Sequence, residues 1–106
     1  MIKIYQINID KDVNKVKFMK YSWIKEFDFS IYDKIWSGEV FNEEENLYMF
    51  LDEIYEAFNL YHPKDFTGHS LSVSDIVQII DKDESINGYY YCDSFGWLKL
   101  DEDLIK

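Results

Sequence analysis

The stretch that decides the fold is residues 43–58, EEENLYMFLDEIYEAF, where apolar and acidic residues recur at helical spacing. Its apolar positions lie three or four residues apart, as on one face of an α-helix; they are Leu47, Phe50, Leu51, Ile54 and Phe58. Asn42 is a candidate N-cap, and the glutamates at 43–45 stand where the helix dipole favours negative charge. The pattern predicts one main amphipathic helix.

Shorter stretches on both sides of this helix have the alternating or clustered apolar residues of β-strands. They are residues 1–9, 32–40, 76–80, 89–95 and 97–100. We expect the first strand and a 76–95 hairpin to form a small, mostly antiparallel sheet with the helix packed on one face, an α+β fold. Residues 16–21 fit either a second strand or the start of a helix, and residues 101–106 are expected to be a frayed tail.

The charge of the chain is strongly negative and unevenly distributed. The 106 residues, enough for one domain over 1–106, include 21 acidic and 11 basic side chains, a net charge of -10. Residues 1–35 hold seven lysines and five acidic residues, a net charge of +2, whereas residues 36–106 hold four lysines and 16 acidic residues, a net charge of -12. This asymmetry predicts attraction to a protein partner with a basic surface.

All 11 basic residues are lysine. Without arginine, the bidentate contacts to phosphate and guanine are missing, so direct nucleic-acid binding is not expected. The start of the chain lacks the features of a secretory signal, and no apolar run is long enough to span a membrane. The single cysteine, Cys92, can form no internal disulfide, so we expect a cytoplasmic protein without membrane association and leave its oligomeric state open.

One side of the predicted helix combines a methionine with carboxylates, opposite the apolar face. We predict that this side binds a partner, through Glu45, Met49, Asp52, Glu53 and Glu56. Carboxylates one helical turn apart are separated by about 5 to 6 Å, on the scale of successive phosphates in a nucleic acid. The face therefore fits a nucleic-acid mimic, although an ordinary solvated helix has the same spacing.

Residues 62–75, HPKDFTGHSLSVSD, concentrate the residue types used in acid, base and nucleophilic catalysis. A small hydrolase-like site of His69, Ser70 and Asp75 is one interpretation, but the G-x-S-x-G elbow that exposes a nucleophilic serine is missing. In the other interpretation, Ser70, Ser72 and Ser74 form the polar face of a strand or cap a short turn at Asp75. No histidine or cysteine spacing matches a metal site, and no glycine-rich phosphate loop is present, so neither a metal nor a cofactor is expected.

Four stretches resemble the YodL-like domain family: MIKIYQI at 1–7, YDKIWSGEV at 32–40, FNLYHPKDFTGHSLSVSD at 58–75 and YYYCDSFGW at 89–97. The positions that match the family pattern are His62, Asp65, Gly68, His69, Ser70, Ser72, Ser74, Asp75, Asp93 and Gly96. The resemblance implies a single small domain found in low-GC Gram-positive bacteria and their mobile elements, both alone and within larger proteins of conjugative elements and phages. It implies no catalytic residues.

These observations predict a non-enzymatic, acidic protein-binding module. The expected gene source is a phage or other mobile genetic element, and the expected partner is a host protein that the module modulates or inhibits. In its most specific form this prediction is an anti-CRISPR inhibitor, or an inhibitor of another defence protein, that mimics DNA. The alternative is the small hydrolase-like enzyme that uses residues 62–75.

Overall fold

The computed structural model describes residues 1–40 and 46–105, which contain five strands and one α-helix. In chain order these elements are β1 Ile2–Ile7, β2 Tyr32–Gly38, α1 Leu47–Leu60, β3 Ile76–Ile79, β4 Gly88–Cys92 and β5 Trp97–Leu100. Short 3-10 helices lie at Tyr21–Trp23, Phe29–Ile31, Glu84–Ile86 and Glu102–Ile105.

The five strands form one sheet in the order β2-β1-β3-β4-β5, with every neighbouring pair antiparallel. The predicted α+β fold is confirmed. The register of β1 against β2 shifts between Ile4 and Tyr5, where the apolar alternation of the sequence also changes parity. The residue skipped in the pairing is Ile35 of β2, so β1 keeps its alternation. Gln6 and Ile7 point to opposite faces and are both buried, because both faces of the sheet are covered.

Helix α1 packs its apolar face on one side of the sheet. Phe50, Leu51, Ile54 and Phe58 are buried in a cluster that also contains strand residues such as Val77. Burial of a large apolar side chain contributes about 1.5 to 3 kcal/mol. This face therefore supplies much of the stability that holds α1 on the sheet, as the sequence predicted.

The helix begins and ends later than expected. Its N-cap is Asn46, whose side chain accepts hydrogen bonds from the backbone N–H groups of Tyr48 and Met49. The predicted cap Asn42 and the glutamates at 43–45 lie outside the described residues. At the other end, α1 continues to Leu60.

The opposite side of the sheet is covered by residues 8–31. Rings from this segment, including Tyr21, Phe27 and Phe29, pack with Tyr32 and Tyr91 in a second core cluster. The prediction of a strand or the start of a helix over 16–21 is wrong for residues 16–20, which form no regular element, and a 3-10 helix begins only at Tyr21. The lysine-rich segment and the acidic helix therefore lie on opposite faces of the sheet.

Residues 102–105 pack against the rest of the fold, so the prediction of a frayed tail over 101–106 is wrong for them, and Lys106 lies outside the described residues. Residues Glu102–Ile105 form a 3-10 helix. Leu104 and Ile105 are partly buried and pack against the second core cluster, which contains Leu100. These two apolar side chains pack on the face of the sheet that residues 8–31 cover. Their burial offsets the entropy cost of ordering this part of the chain.

Candidate functional site

A buried polar centre surrounds the carboxyl group of Asp75, a residue that is only 1% exposed. Its Oδ2 atom accepts hydrogen bonds from Nε2 of Gln6 at 3.1 Å and from the backbone N–H of Ser72 at 2.9 Å. Its Oδ1 atom is buried without a hydrogen-bond partner. Such an orphan acceptor is rare in a folded protein and marks a group that can be protonated or can receive a donor.

The ring of His69 lies close to this orphan oxygen, with Nε2 at 4.0 Å from Oδ1 of Asp75. The other ring nitrogen, Nδ1, lies 2.6 Å from the carbonyl oxygen of Ser70. Gln6 already directs its two Nε2 protons to the carbonyl of His69 and to Asp75. Because a carbonyl oxygen can only accept, Nδ1 carries the proton of the neutral ring, and Nε2 faces Asp75 with its lone pair.

The environment of Asp75 favours its protonated form. Burial raises the pKa of this carboxyl from 3.8 to about 7, against the opposing effects of the Ser72 N–H, the Gln6 amide and the Lys17 charge. One proton placed either on Asp75 Oδ1 or on His69 Nε2 lets the two groups attract each other. A proton on Oδ1 of Asp75 would give this oxygen a donor directed toward Nε2 of His69.

Two serine hydroxyls of residues 62–75 form hydrogen bonds with backbone groups near Asp75. The hydroxyl of Ser72 donates to the carbonyl of Ser70, and the hydroxyl of Ser74 accepts the backbone N–H of Phe18. The prediction that these serines line a strand is wrong, because β3 begins at Ile76 and Ser74 lies in a turn with φ of 86°. The expected serine cap is also absent from these contacts: the carboxylate of Asp75 accepts the N–H of Ser72, and the N–H of Asp75 donates to the Ser72 carbonyl.

The hydrolase interpretation requires a nucleophile next to His69. The structure brings His69 and Asp75 together, but the third residue, Ser70, is exposed and contributes its carbonyl oxygen, not its hydroxyl, to the His69 ring. The ring of His69 packs instead against Phe18, with the centroids 5.9 Å apart. The arrangement supplies an acid–base pair, and the described contacts supply no activated hydroxyl.

Two further motif residues fix the approach of residues 62–75 to the sheet. Asp65 accepts a hydrogen bond from the indole Nε1 of Trp36 at 2.8 Å. Gly68 lies against Gln6 and Ile35, so closely that an added Cβ atom would stand 2.6 Å from Cγ2 of Ile35. The loop can reach Gln6 because this position has no side chain.

The remaining motif residues lie apart from the polar centre. The ring of His62 is exposed at the end of α1 and packs near Phe66. Asp93 accepts the backbone N–H groups of Ser94 and Tyr21, and so ties the turn between β4 and β5 to the segment on the second face. Gly96 ends that turn with φ of 76°, a conformation that favours glycine.

The predicted partner-binding residues lie on the outer side of α1. Met49, Asp52, Glu53 and Glu56 are exposed, whereas Glu45 lies outside the described residues. Asp52 departs from the expected solvated state, because its Oδ1 accepts a hydrogen bond from the indole Nε1 of Trp97 at 3.0 Å. The face is therefore acidic and aromatic together.

A family model, the YodL-like domain, matches residues 1–102 of the chain. The chain belongs to the YodL-like domain family. Comparisons with curated proteins and with solved structures found no match. The matched range of this YodL-like domain contains both the polar centre and the acidic helix.

Gln6 is the member of the polar centre that sequence reasoning missed. It lies in an apolar strand, and its role depends on contacts with residues 63 and 69 positions away in the chain. The available signal was the alternation of β1, because Gln6 follows the buried Ile2 and Ile4 at a spacing of two residues. Within residues 1–40 and 46–105, the YodL-like domain has no cluster of three or more His, Cys, Asp or Glu suited to a metal ion, and no helix long and apolar enough to cross a bilayer.

Proposed function

We propose that this YodL-like domain is a protein-binding module that recognises a basic surface of its partner through the outer face of α1. The observation that carries the proposal is the composition of this face. Over Leu47–Leu60 the helix has three acidic residues and no lysine, and Met49 exposes 54% of its surface between them. Exposed methionine and aromatic side chains, here Tyr48 and Tyr55, are enriched at protein interfaces.

The charge distribution supports the same orientation of binding. Residues 8–31, which carry lysines 11, 15, 17, 20 and 25, cover the opposite side of the sheet from α1. Residues 8–31 also hold four acidic residues and are nearly neutral, whereas α1 has three acidic residues and no lysine. A cationic partner is therefore attracted more strongly to the helix than to the opposite side.

The partner class that we propose is a host protein whose basic surface normally binds nucleic acid, such as a defence protein, with the carboxylates of α1 in the place of phosphates. Asp52 and Glu56, one helical turn apart, are the pair with suitable spacing. A phage or mobile element is the proposed gene source, in keeping with the settings in which such domains are expected. In this role the domain inhibits its partner by occupying the nucleic-acid surface.

The experiment is affinity capture from a bacterial lysate with matched charge variants of the full chain. Glu56→Lys reverses a charge on α1, and Glu84→Lys makes the same change in the loop between β3 and β4. We expect the captured partner to elute at raised salt. The Glu56→Lys and Met49→Ala variants should bind this partner at least about tenfold more weakly than the wild-type chain, since central interface residues dominate affinity. Equal loss from Glu56→Lys and Glu84→Lys, or no loss from either, would contradict the proposed face.

A further inference from the structure

A cleft of about 250 Å³ lies between α1 and the turn that joins β4 to β5. Asp52 and Tyr55 line it from α1, and Asp93 and Trp97 line it from the turn and β5, with Cys92 at its base. The cleft adjoins the outer face of α1, because Asp52 belongs to both. A partner docked on α1 would cover the mouth of this cleft.

The two aromatic rings and one carboxylate of the cleft are already held in place. The rings of Tyr55 and Trp97 meet edge to face, with centroids 6.4 Å apart at an interplanar angle of 81°. The indole Nε1 of Trp97 donates to Oδ1 of Asp52, and no described residue bonds to Oδ2. This leaves a carboxylate oxygen next to a fixed indole ring, which is the arrangement that receives a planar cation.

The electrostatic environment of the cleft is negative. Two carboxylates line it, and no lysine or histidine is among its described lining residues. Burial, together with the negative charges of Asp75, Asp93 and Asp52, raises the pKa of the Cys92 thiol to about 12. A cation that enters the cleft therefore replaces its hydration with two carboxylates and an aromatic face.

We propose that the cleft receives an arginine side chain of the basic partner, with the guanidinium against Trp97 and donating to Asp52; this assignment rests on the proposed function. Arginine fits better than lysine, because its planar group can stack on a ring and donate two parallel hydrogen bonds to a carboxylate. The chain itself contains no arginine. A second copy of the protein cannot supply the ligand, so the arginine comes from another protein.

The test uses the full ¹⁵N-labelled chain and three short peptides, acetyl-Gly-Xaa-Gly-amide with arginine, lysine or citrulline in the centre. Citrulline keeps the shape of arginine without its charge. The chain has three tryptophans, so its indole N–H signals can be assigned by single replacement. We expect the arginine peptide to shift the Trp97 signal, the lysine peptide to shift it less at equal concentration, and the citrulline peptide to leave it in place.

Asp52→Asn is the matched variant, since asparagine can still accept the indole N–H and so keeps the cleft intact. We expect it to weaken arginine binding at least about fivefold, whereas Glu84→Gln, remote from the cleft, leaves binding unchanged. An unmoved Trp97 signal, an equal response to citrulline or lysine, or equal affinity of Asp52→Asn would overturn the assignment. If the peptide test fails while Glu56→Lys still abolishes partner capture, the arginine cleft is wrong and the proposed helix face stands. If Trp97 responds while Glu56→Lys has no effect on capture, the proposed function fails.

Discussion

Replacement of Asp75 by asparagine tests whether the buried centre holds a proton instead of a charge at neutral pH. Asparagine has the same shape as aspartate, and its Oδ1 can accept from Gln6 and Ser72 as Asp75 Oδ2 does. Its amide nitrogen then takes the place of the orphan Oδ1 and can donate toward Nε2 of His69. The variant therefore removes the titratable charge while keeping the contacts.

The magnitude follows from the pKa of Asp75, which burial raises from 3.8 to about 7. The folded chain keeps a proton that the unfolded chain releases above about pH 4, so stability falls as pH rises through this window and levels off above about pH 7. The whole shift corresponds to roughly 4 kcal/mol, of which roughly 3 kcal/mol is lost between about pH 5 and pH 8.

Urea unfolding of both proteins at several pH values between 5 and 8 measures the effect. We expect the free energy of unfolding of the wild-type chain to fall by roughly 2 to 3 kcal/mol relative to that of Asp75→Asn over this range, a shift in urea midpoint of about 1 to 3 M. The difference between the two curves removes the contribution of groups that titrate elsewhere. Parallel curves, or a variant that loses stability mainly at high pH, would refute the account of Asp75.

One substitution and one deletion test the packing. Gly68→Ala places a methyl group against Gln6 and Ile35, so we expect the free energy of unfolding, measured by thermal denaturation, to fall by about 1 to 3 kcal/mol. If this variant melts at the same temperature as the exposed control Thr67→Ala, residue 68 does not lie tightly against Gln6 and Ile35. Deletion of residues 102–106 removes the partly buried Leu104 and Ile105 and should cost about 2 kcal/mol. An unchanged unfolding midpoint, equal to that of the exposed control Glu102→Ala, would restore the frayed-tail interpretation.

The sequence was most informative where the signal is local. The spacing of Phe50, Leu51, Ile54 and Phe58 sets the buried face of α1 whatever the helix packs on, so periodicity alone predicted it. Its ends were less predictable, because several Asx side chains can cap a helix, and Asn46 does so here. The prediction for residues 16–21 failed because this segment is positioned by a distant contact. The backbone N–H of Phe18 donates to the hydroxyl of Ser74, 56 positions later in the chain.

The polar centre could be predicted in part. The sequence marked His69 and Asp75 as chemically interesting, but Gln6, which donates to the His69 carbonyl and to the Asp75 carboxylate, comes from the far end of the chain. The raised pKa of Asp75 also depends on burial, which a sequence pattern does not specify for a lone carboxylate.

By itself, the sequence determined the fold class, the amphipathic helix, the absence of arginine and the unequal charge of its two parts. Those are properties of composition and short-range spacing. Tertiary structure decided that residues 8–31 and α1 lie on opposite faces of the sheet, which separates the five lysines of that segment from the three carboxylates of the helix. It also placed Trp97 next to Asp52, 45 positions away, because strand pairing and helix packing bring together residues that no local pattern connects.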